Sequence, residues 1–160
     1  MMTPQTTYEK QLTFTTPDHT SRIASDIAQR LVPGDVILLE GPIGTGKTHF
    51  CRSLIQALMT VPEDVPSPTF TLVQVYDVPA GELWHADLYR LGHADEVEEL
   101  GLLAAFEDAI CLVEWPDRLE ELAPAHALTV TLSLVADAEE SRTAELRWSD
   151  PKWAEKLDTL

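Results

Sequence analysis

The octet Gly41-Pro42-Ile43-Gly44-Thr45-Gly46-Lys47-Thr48 narrows the possible architectures more than any other stretch of this chain. It satisfies the Walker A pattern G-x-x-x-x-G-K-[ST], which works only as a loop between a buried strand and the first turn of a helix. Both flanks are present. Val36-Ile37-Leu38-Leu39 is a short, partly β-branched apolar run of the kind that forms a buried strand. Phe50, Leu54, Ile55 and Leu58 then recur at one-face helical spacing. Glycine lets the backbone curl closely around a polyphosphate, while successive N–H groups and the positive end of the helix point at the anion. In that arrangement the amides of Gly44, Thr45, Gly46, Lys47 and Thr48 enclose a triphosphate tail. The Lys47 ammonium reaches the β- and γ-phosphates, and the Thr48 hydroxyl ligates Mg²⁺.

The remaining pattern predicts an α/β chain. Leu12-Thr13-Phe14 reads as a strand, and Thr16-Pro17 supplies an N-cap and first-turn proline for a helix packing through Ile23, Ala24, Ile27, Ala28 and Leu31. Pro33-Gly34-Asp35 turns that helix into the strand before the glycine loop. After a loop from Val61 to Ser67, Thr71–Val78 and Leu83–Leu88 read as two strands joined at Pro79-Ala80-Gly81. Gly92–Asp108 reads as an acidic helical segment, Ala109–Val113 as an apolar strand, and Asp117–Leu122 as a short helix ending before Pro124. Leu128, Val130, Leu132 and Leu134 alternate with polar residues, a strand with one wet face, and Ala144–Trp148 alternates likewise. Asp150-Pro151 opens a terminal helix. No repeat or linker interrupts the 160 residues, so the expectation is one domain over 1–160 with a central mixed sheet flanked by helices, a P-loop NTPase-like three-layer sandwich.

Charge limits the partners. The formal net charge is −16, from 27 acids against 11 bases, without a Lys/Arg cluster. Nucleic-acid binders gain most of their affinity by neutralising phosphates with a basic face, so any link to RNA is expected to be indirect. A basic protein partner or a merely solubilising surface both agree with the acidity. No apolar run is long enough to cross a bilayer, and Met1-Met2-Thr3-Pro4-Gln5 lacks a leader's charged-then-apolar layout, which predicts a cytoplasmic chain without a membrane partner. Cys51 and Cys111 have no ligand-like spacing to a histidine and read as buried, reduced thiols.

A glycine loop of this type needs an acid for Mg²⁺ at the end of a neighbouring strand. Ile110-Cys111-Leu112-Val113-Glu114 has the better form, four apolar residues and then an acid, although the acid is Glu where Asp is usual. Leu83-Trp84-His85-Ala86-Asp87 also ends in one. Glu114 is therefore assigned to the metal and Asp87 to catalysis or to positioning water. Ser67-Pro68-Thr69-Phe70 fits either a switch-like loop, with Ser67 and Thr69 sensing the γ-phosphate, or a simple turn into a strand. Trp115 follows Glu114 directly, so its indole belongs near the same site, against nucleotide or core. His85, on an interior strand, reads as structural before it reads as a proton shuttle.

Taken in order, the Walker octet, Ser67-Pro68-Thr69-Phe70-Thr71-Leu72-Val73, His85-Ala86-Asp87-Leu88-Tyr89-Arg90-Leu91 and Leu112-Val113-Glu114-Trp115-Pro116 closely resemble the TsaE family. These are small bacterial P-loop ATPases needed for the threonylcarbamoyladenosine modification of tRNA. The resemblance runs from about Thr20 to Arg118. Ala86 stands where a larger residue, often Phe, is usual, and Pro42 where Asp is common; neither position has a phosphate or metal role. The resemblance implies ATP and Mg²⁺ as cofactors, and slow hydrolysis tied to a complex with TsaD, which carries the transferase chemistry, and TsaB. It also implies Thr48 and Glu114 on Mg²⁺, Asp87 in hydrolysis and Thr20 near the adenine. The expected ATP-contacting set is Thr20, Gly44, Thr45, Gly46, Lys47, Thr48, His49 and Trp115, with Lys47 and Asp87 catalytic.

Two other classes stay open on the residues alone. A small-molecule kinase shares the loop but commonly brings arginines over the phosphates, and here Arg52, Arg90, Arg118, Arg142 and Arg147 are scattered. A non-enzymatic, nucleotide-gated binding module would need no Asp87 chemistry. A GTPase fits poorly, because the chain has no asparagine and so no Asn-Lys-x-Asp guanine signature.

Overall fold

Alternating and continuously apolar runs all enter one sheet in the computed structural model, which describes residues 6–160. The stretch Met1-Met2-Thr3-Pro4-Gln5, read above for its lack of a leader pattern, lies outside these. The strands are β1 (Tyr8–Phe14), β2 (Val36–Glu40), β3 (Val73–Val78), β4 (Gly81–Asp87), β5 (Ile110–Glu114), β6 (Leu128–Leu134) and β7 (Arg142–Trp148). Their spatial order is β1-β7-β6-β2-β5-β4-β3. β2 runs parallel to β5 and β6, and β4 parallel to β5, whereas β1, β3 and β7 pair antiparallel at the wings. Parallel strands need cover on both faces, and β5 is buried along its whole length. At the wing, β7 alternates, with Ala144, Leu146 and Trp148 buried between half-exposed Glu145 and Arg147.

Helices α1 (Pro17–Ala28), α2 (Lys47–Leu58) and α5 (Lys152–Leu157) cover one face of the sheet; α3 (Glu96–Glu99), α4 (Leu102–Asp108) and a 3₁₀ segment (Pro116–Leu122) cover the other. Thr16 caps α1 by accepting the His19 N–H at 3.1 Å, an interaction generally worth about 1 kcal/mol. The period-two rule then sorts the strand side chains. Ile110 and Leu112 pack in the core under α2, while Cys111 and Val113 pack toward α4. Glu114 continues the first series, and on β4 His85 and Asp87 share the face of Leu83. Both strand-end acids are thus delivered to the side of the sheet where α2 begins.

Four local expectations change. The acidic segment from Gly92 forms two short helices, because Gly101 turns left-handed at φ +81° and a Cβ there would stand 3.3 Å from the Trp84 ring. The expected helix at Asp117–Leu122 is 3₁₀, starts at Pro116 and is broken by Glu120 at φ 51°. β3 begins at Val73, since the Leu72 N–H closes a loop onto the Pro68 carbonyl at 2.7 Å. Leu134 is 58% exposed, where β6 outruns its cover. No described helix is long and apolar enough to cross a membrane.

Candidate nucleotide site

The glycine loop leaves β2 and enters α2 at the carboxyl edge of the parallel strands. Gly41, at φ +140°, has no room for a side chain, because a Cβ would lie 2.5 Å from the Leu132 carbonyl oxygen. Gly46 begins α2 in the left-handed region at φ +95°, and its carbonyl accepts the Phe50 N–H at 2.9 Å. Thr45 is buried, and its hydroxyl ties the loop by donating to the Pro42 carbonyl at 2.8 Å. Lys47 folds its ammonium back to the carbonyls of Gly41 (2.6 Å) and Pro42 (3.0 Å). The same ammonium sits 4.2 Å from the centre of the Trp115 ring. Burial lowers the Lys47 pKa, and the nearby charges of Glu114 and Asp87 oppose that shift.

Asp87 and Glu114 stand opposite one another in the β4–β5 register. Glu114 is buried, with each oxygen already engaged. The Thr48 hydroxyl donates to Oε1 at 2.7 Å, and His85 Nε2 lies 2.7 Å from Oε2. Asp87 accepts the Tyr89 N–H on Oδ1 (3.0 Å) and the Thr69 hydroxyl on Oδ2 (3.3 Å), and Thr69 is 2.7 Å from the Ser67 hydroxyl. The predicted switch-like loop is therefore attached to the site through Asp87. Trp115 turns the chain sharply after Glu114 in a left-handed conformation, φ 60° and ψ 54°, which costs about 1 kcal/mol for a residue with a Cβ. That turn sets the indole over Lys47 and against Tyr89, with ring centres 4.9 Å apart. A cleft of about 270 Å³ opens between Gly44, Gly46, Lys47, Thr48, Asp87 and Glu114. Its facing oxygen donors, a hydroxyl and a carboxylate, match the hard-ligand chemistry of Mg²⁺.

Thr20 lies in an adjoining cavity of about 580 Å³ that shares Gly46 and His49 with the cleft. Its hydroxyl bonds back to the Thr16 carbonyl at 3.4 Å. The His49 ring is anchored by the Pro17 carbonyl (3.0 Å) and the Ser21 hydroxyl (3.1 Å). Another cavity of about 420 Å³, beside Glu40, Arg147 and Trp148, contains none of the predicted residues.

Sequence reasoning missed three neighbours of the site. Arg142, the first residue of β7, donates to the Gly44 carbonyl at 3.3 Å, and no local pattern could have announced that. Cys51 is one helical turn beyond Thr48 and joins His85 and Glu114 in a buried group whose donor atoms lie within 4.8 Å of one another. Burial, then the Glu114 and Asp87 charges, push the Cys51 thiol well up, so it stays protonated. His85 did carry a signal, since period two places it on the face of Asp87.

A parallel centre with a glycine loop between its middle strand and a helix, and acids at neighbouring strand tips, defines a P-loop NTPase-like three-layer α/β sandwich. The family model described as "Threonylcarbamoyl adenosine biosynthesis protein TsaE" matches residues 14–144, and the chain belongs to the TsaE family. It is 39% identical to the Bacillus subtilis protein named tRNA threonylcarbamoyladenosine biosynthesis protein TsaE over 84% of this chain and 85% of that one. The Rickettsia bellii protein of the same name is 36% identical over 79% of this chain and 88% of its own. The crystal structure of Bacillus subtilis YdiB superposes with a TM-score of 0.76 at 26% identity, covering 98% of this chain and 96% of that one.

Proposed function

We propose that this chain is a Mg²⁺-dependent, ATP-binding and ATP-hydrolysing subunit required for the threonylcarbamoyladenosine modification of tRNA, acting with TsaB and TsaD. The observation that carries the reading is the meeting of the Thr48 hydroxyl and the Glu114 carboxylate at 2.7 Å inside the glycine-loop cleft. The triphosphate occupies the cleft, and the nucleoside extends past His49 toward Thr20 in the adjoining cavity. On binding, Lys47 exchanges two carbonyl acceptors for anionic phosphate oxygens, and such charge-assisted bonds are roughly twice as strong as neutral ones. Thr48 and Glu114 would hold Mg²⁺, which would neutralise negative charge on the phosphates. Asp87 is steadied by Tyr89 and Thr69 and forms no ion pair among the described residues, so it can accept a hydrogen bond from water and aim it at the γ-phosphorus. The new P–O bond forms from that water as the bond to the β-phosphate oxygen breaks, releasing ADP and phosphate. Thr69 feels the same event through its bond to Asp87, which links nucleotide state to the Ser67–Thr69 loop. With a net charge of −16 and no basic cluster, the chain engages proteins and leaves the tRNA to them.

The test is Asp87→Ala. Binding of a non-hydrolysable ATP analogue should stay within about threefold, while phosphate release falls on the order of 100-fold or more. Equal loss of both would mean that Asp87 holds the nucleotide and does not position water. Pull-downs with and without ATP should recover TsaD and TsaB; recovering neither under any nucleotide condition would remove the assigned partners.

A further inference from the structure

We propose that His85 is the positioning residue of the cation site, holding one oxygen of Glu114 in the core so that the other meets Thr48 in the cleft. The inference rests on the Mg²⁺–ATP reading above. His85 is completely buried, and its Nε2 lies 2.7 Å from Glu114 Oε2. A carboxylate can only accept, so Nε2 carries the hydrogen of this bond. The other ring nitrogen, Nδ1, has no hydrogen-bond partner among the described residues, so Glu114 is the ring's one polar attachment among them. The ring is fixed by its strand: His85 pairs with Gln74 of β3 on one side and Leu112 of β5 on the other. Three elements thus converge on one side chain. β5 supplies the carboxylate, β4 the imidazole and α2 the Thr48 hydroxyl.

The consequence follows from what lies nearby. Lys47 shares the cleft with Glu114 and feels its charge. A Glu114 released from His85 would leave Oε2 buried without a donor, which is costly, and would swing toward the Lys47 ammonium. That collapse would occupy both the anion that holds the cation and the cation that holds the phosphates. The imidazole prevents it by fixing which oxygen faces the cleft, as outer-shell partners of metal-binding carboxylates do, and their loss typically weakens metal affinity about 10- to 100-fold.

The experiment uses the whole chain with Mn²⁺ as the probe, counting free Mn²⁺ by electron paramagnetic resonance in the presence of a non-hydrolysable ATP analogue. His85→Leu, which removes the donor, should bind Mn²⁺ about 10- to 100-fold more weakly. His85→Gln, whose amide N–H can reach Oε2, should return to within about threefold of the parent, an estimate from retaining that donor. Analogue affinity measured in EDTA should also fall in His85→Leu, because the released Glu114 then competes with phosphate for Lys47, and should recover in His85→Gln. Should His85→Leu fail to fold, His85→Asn takes its place, because its shorter amide cannot span the distance. Parent-like Mn²⁺ binding by the donor-less variant, or no recovery by a folded His85→Gln protein, would overturn the assignment. Parent protein that binds neither analogue nor Mn²⁺ would instead sink the ATP reading, and this inference with it.

Discussion

Asp35 and Glu114 stand at opposite ends of the β2–β5 pair and are buried almost identically, 1% and 2% exposed. Asp35, at the amino end, is held by Lys156 Nζ at 2.7 Å, Lys152 Nζ at 2.9 Å and the Val32 N–H at 2.9 Å. Burial pushes the Asp35 carboxyl up, but the bonds from Lys156, Lys152 and Val32 together outweigh it and hold the group below its ordinary value. Glu114, at the carboxyl end, is met by a hydroxyl and an imidazole, with no Lys or Arg nitrogen within ion-pairing distance among the described residues. Depth of burial is therefore no guide to function. A carboxylate matched by fixed ammonium groups fastens α5 to the sheet, whereas Glu114 faces an open cleft without such a match, and it is there that we propose a cation binds.

Substitutions at the two ends should separate activity from stability. The largest effect is expected from Glu114→Gln, which keeps a side chain able to bond Thr48 or His85 while removing the charge. ATP turnover at saturating Mg²⁺ should fall by about 100-fold, equivalent to about 2.7 kcal/mol of barrier, with the urea midpoint nearly unchanged. A large loss of stability here would erase the contrast.

Asp35→Asn should do the reverse, lowering unfolding free energy by about 2 kcal/mol while turnover at 25 °C, corrected for folded fraction, stays at the parent level. The same variant carries a pH signature. A carboxyl whose folded pKa lies below its unfolded value near 3.8 contributes stability that is complete above that value and is withdrawn as pH falls through the lowered folded value. Urea titrations from pH 7 downward should show this acid loss in the parent and a flatter profile in Asp35→Asn; parallel profiles would show that Asp35 is not the group responsible. Lys152→Met should have the smallest effect, about 0.5–1 kcal/mol, because Lys156 remains on the other oxygen and Lys152 is the more exposed of the two, 30% against 16%.

Much of the active edge was legible from residue order. The glycine loop, the strand before it and the helix after it are consecutive, so hydrophobic period and loop chemistry reveal them directly. An apolar strand ending in Glu114, and another ending in Asp87, likewise mark strand tips. Local reading went astray where one residue overrode the average of its neighbours. Gly101 split an otherwise helical run by packing against Trp84, and Leu72 delayed β3 by closing a loop on Pro68.

The strand–loop–helix unit, the α/β class and the face on which each strand side chain falls are written in residue order, because these follow from torsional preferences and periodicities within a few residues. Tertiary structure decided that Glu114 meets Thr48 and His85, that Thr69 reaches Asp87, that Arg142 touches the glycine loop, and that Lys152 and Lys156 neutralise Asp35. Those pairings join residues far apart along the chain, and they exist only once sheet order and register bring their backbones together. A periodic pattern says which way a side chain points; the packed sheet determines what it finds there.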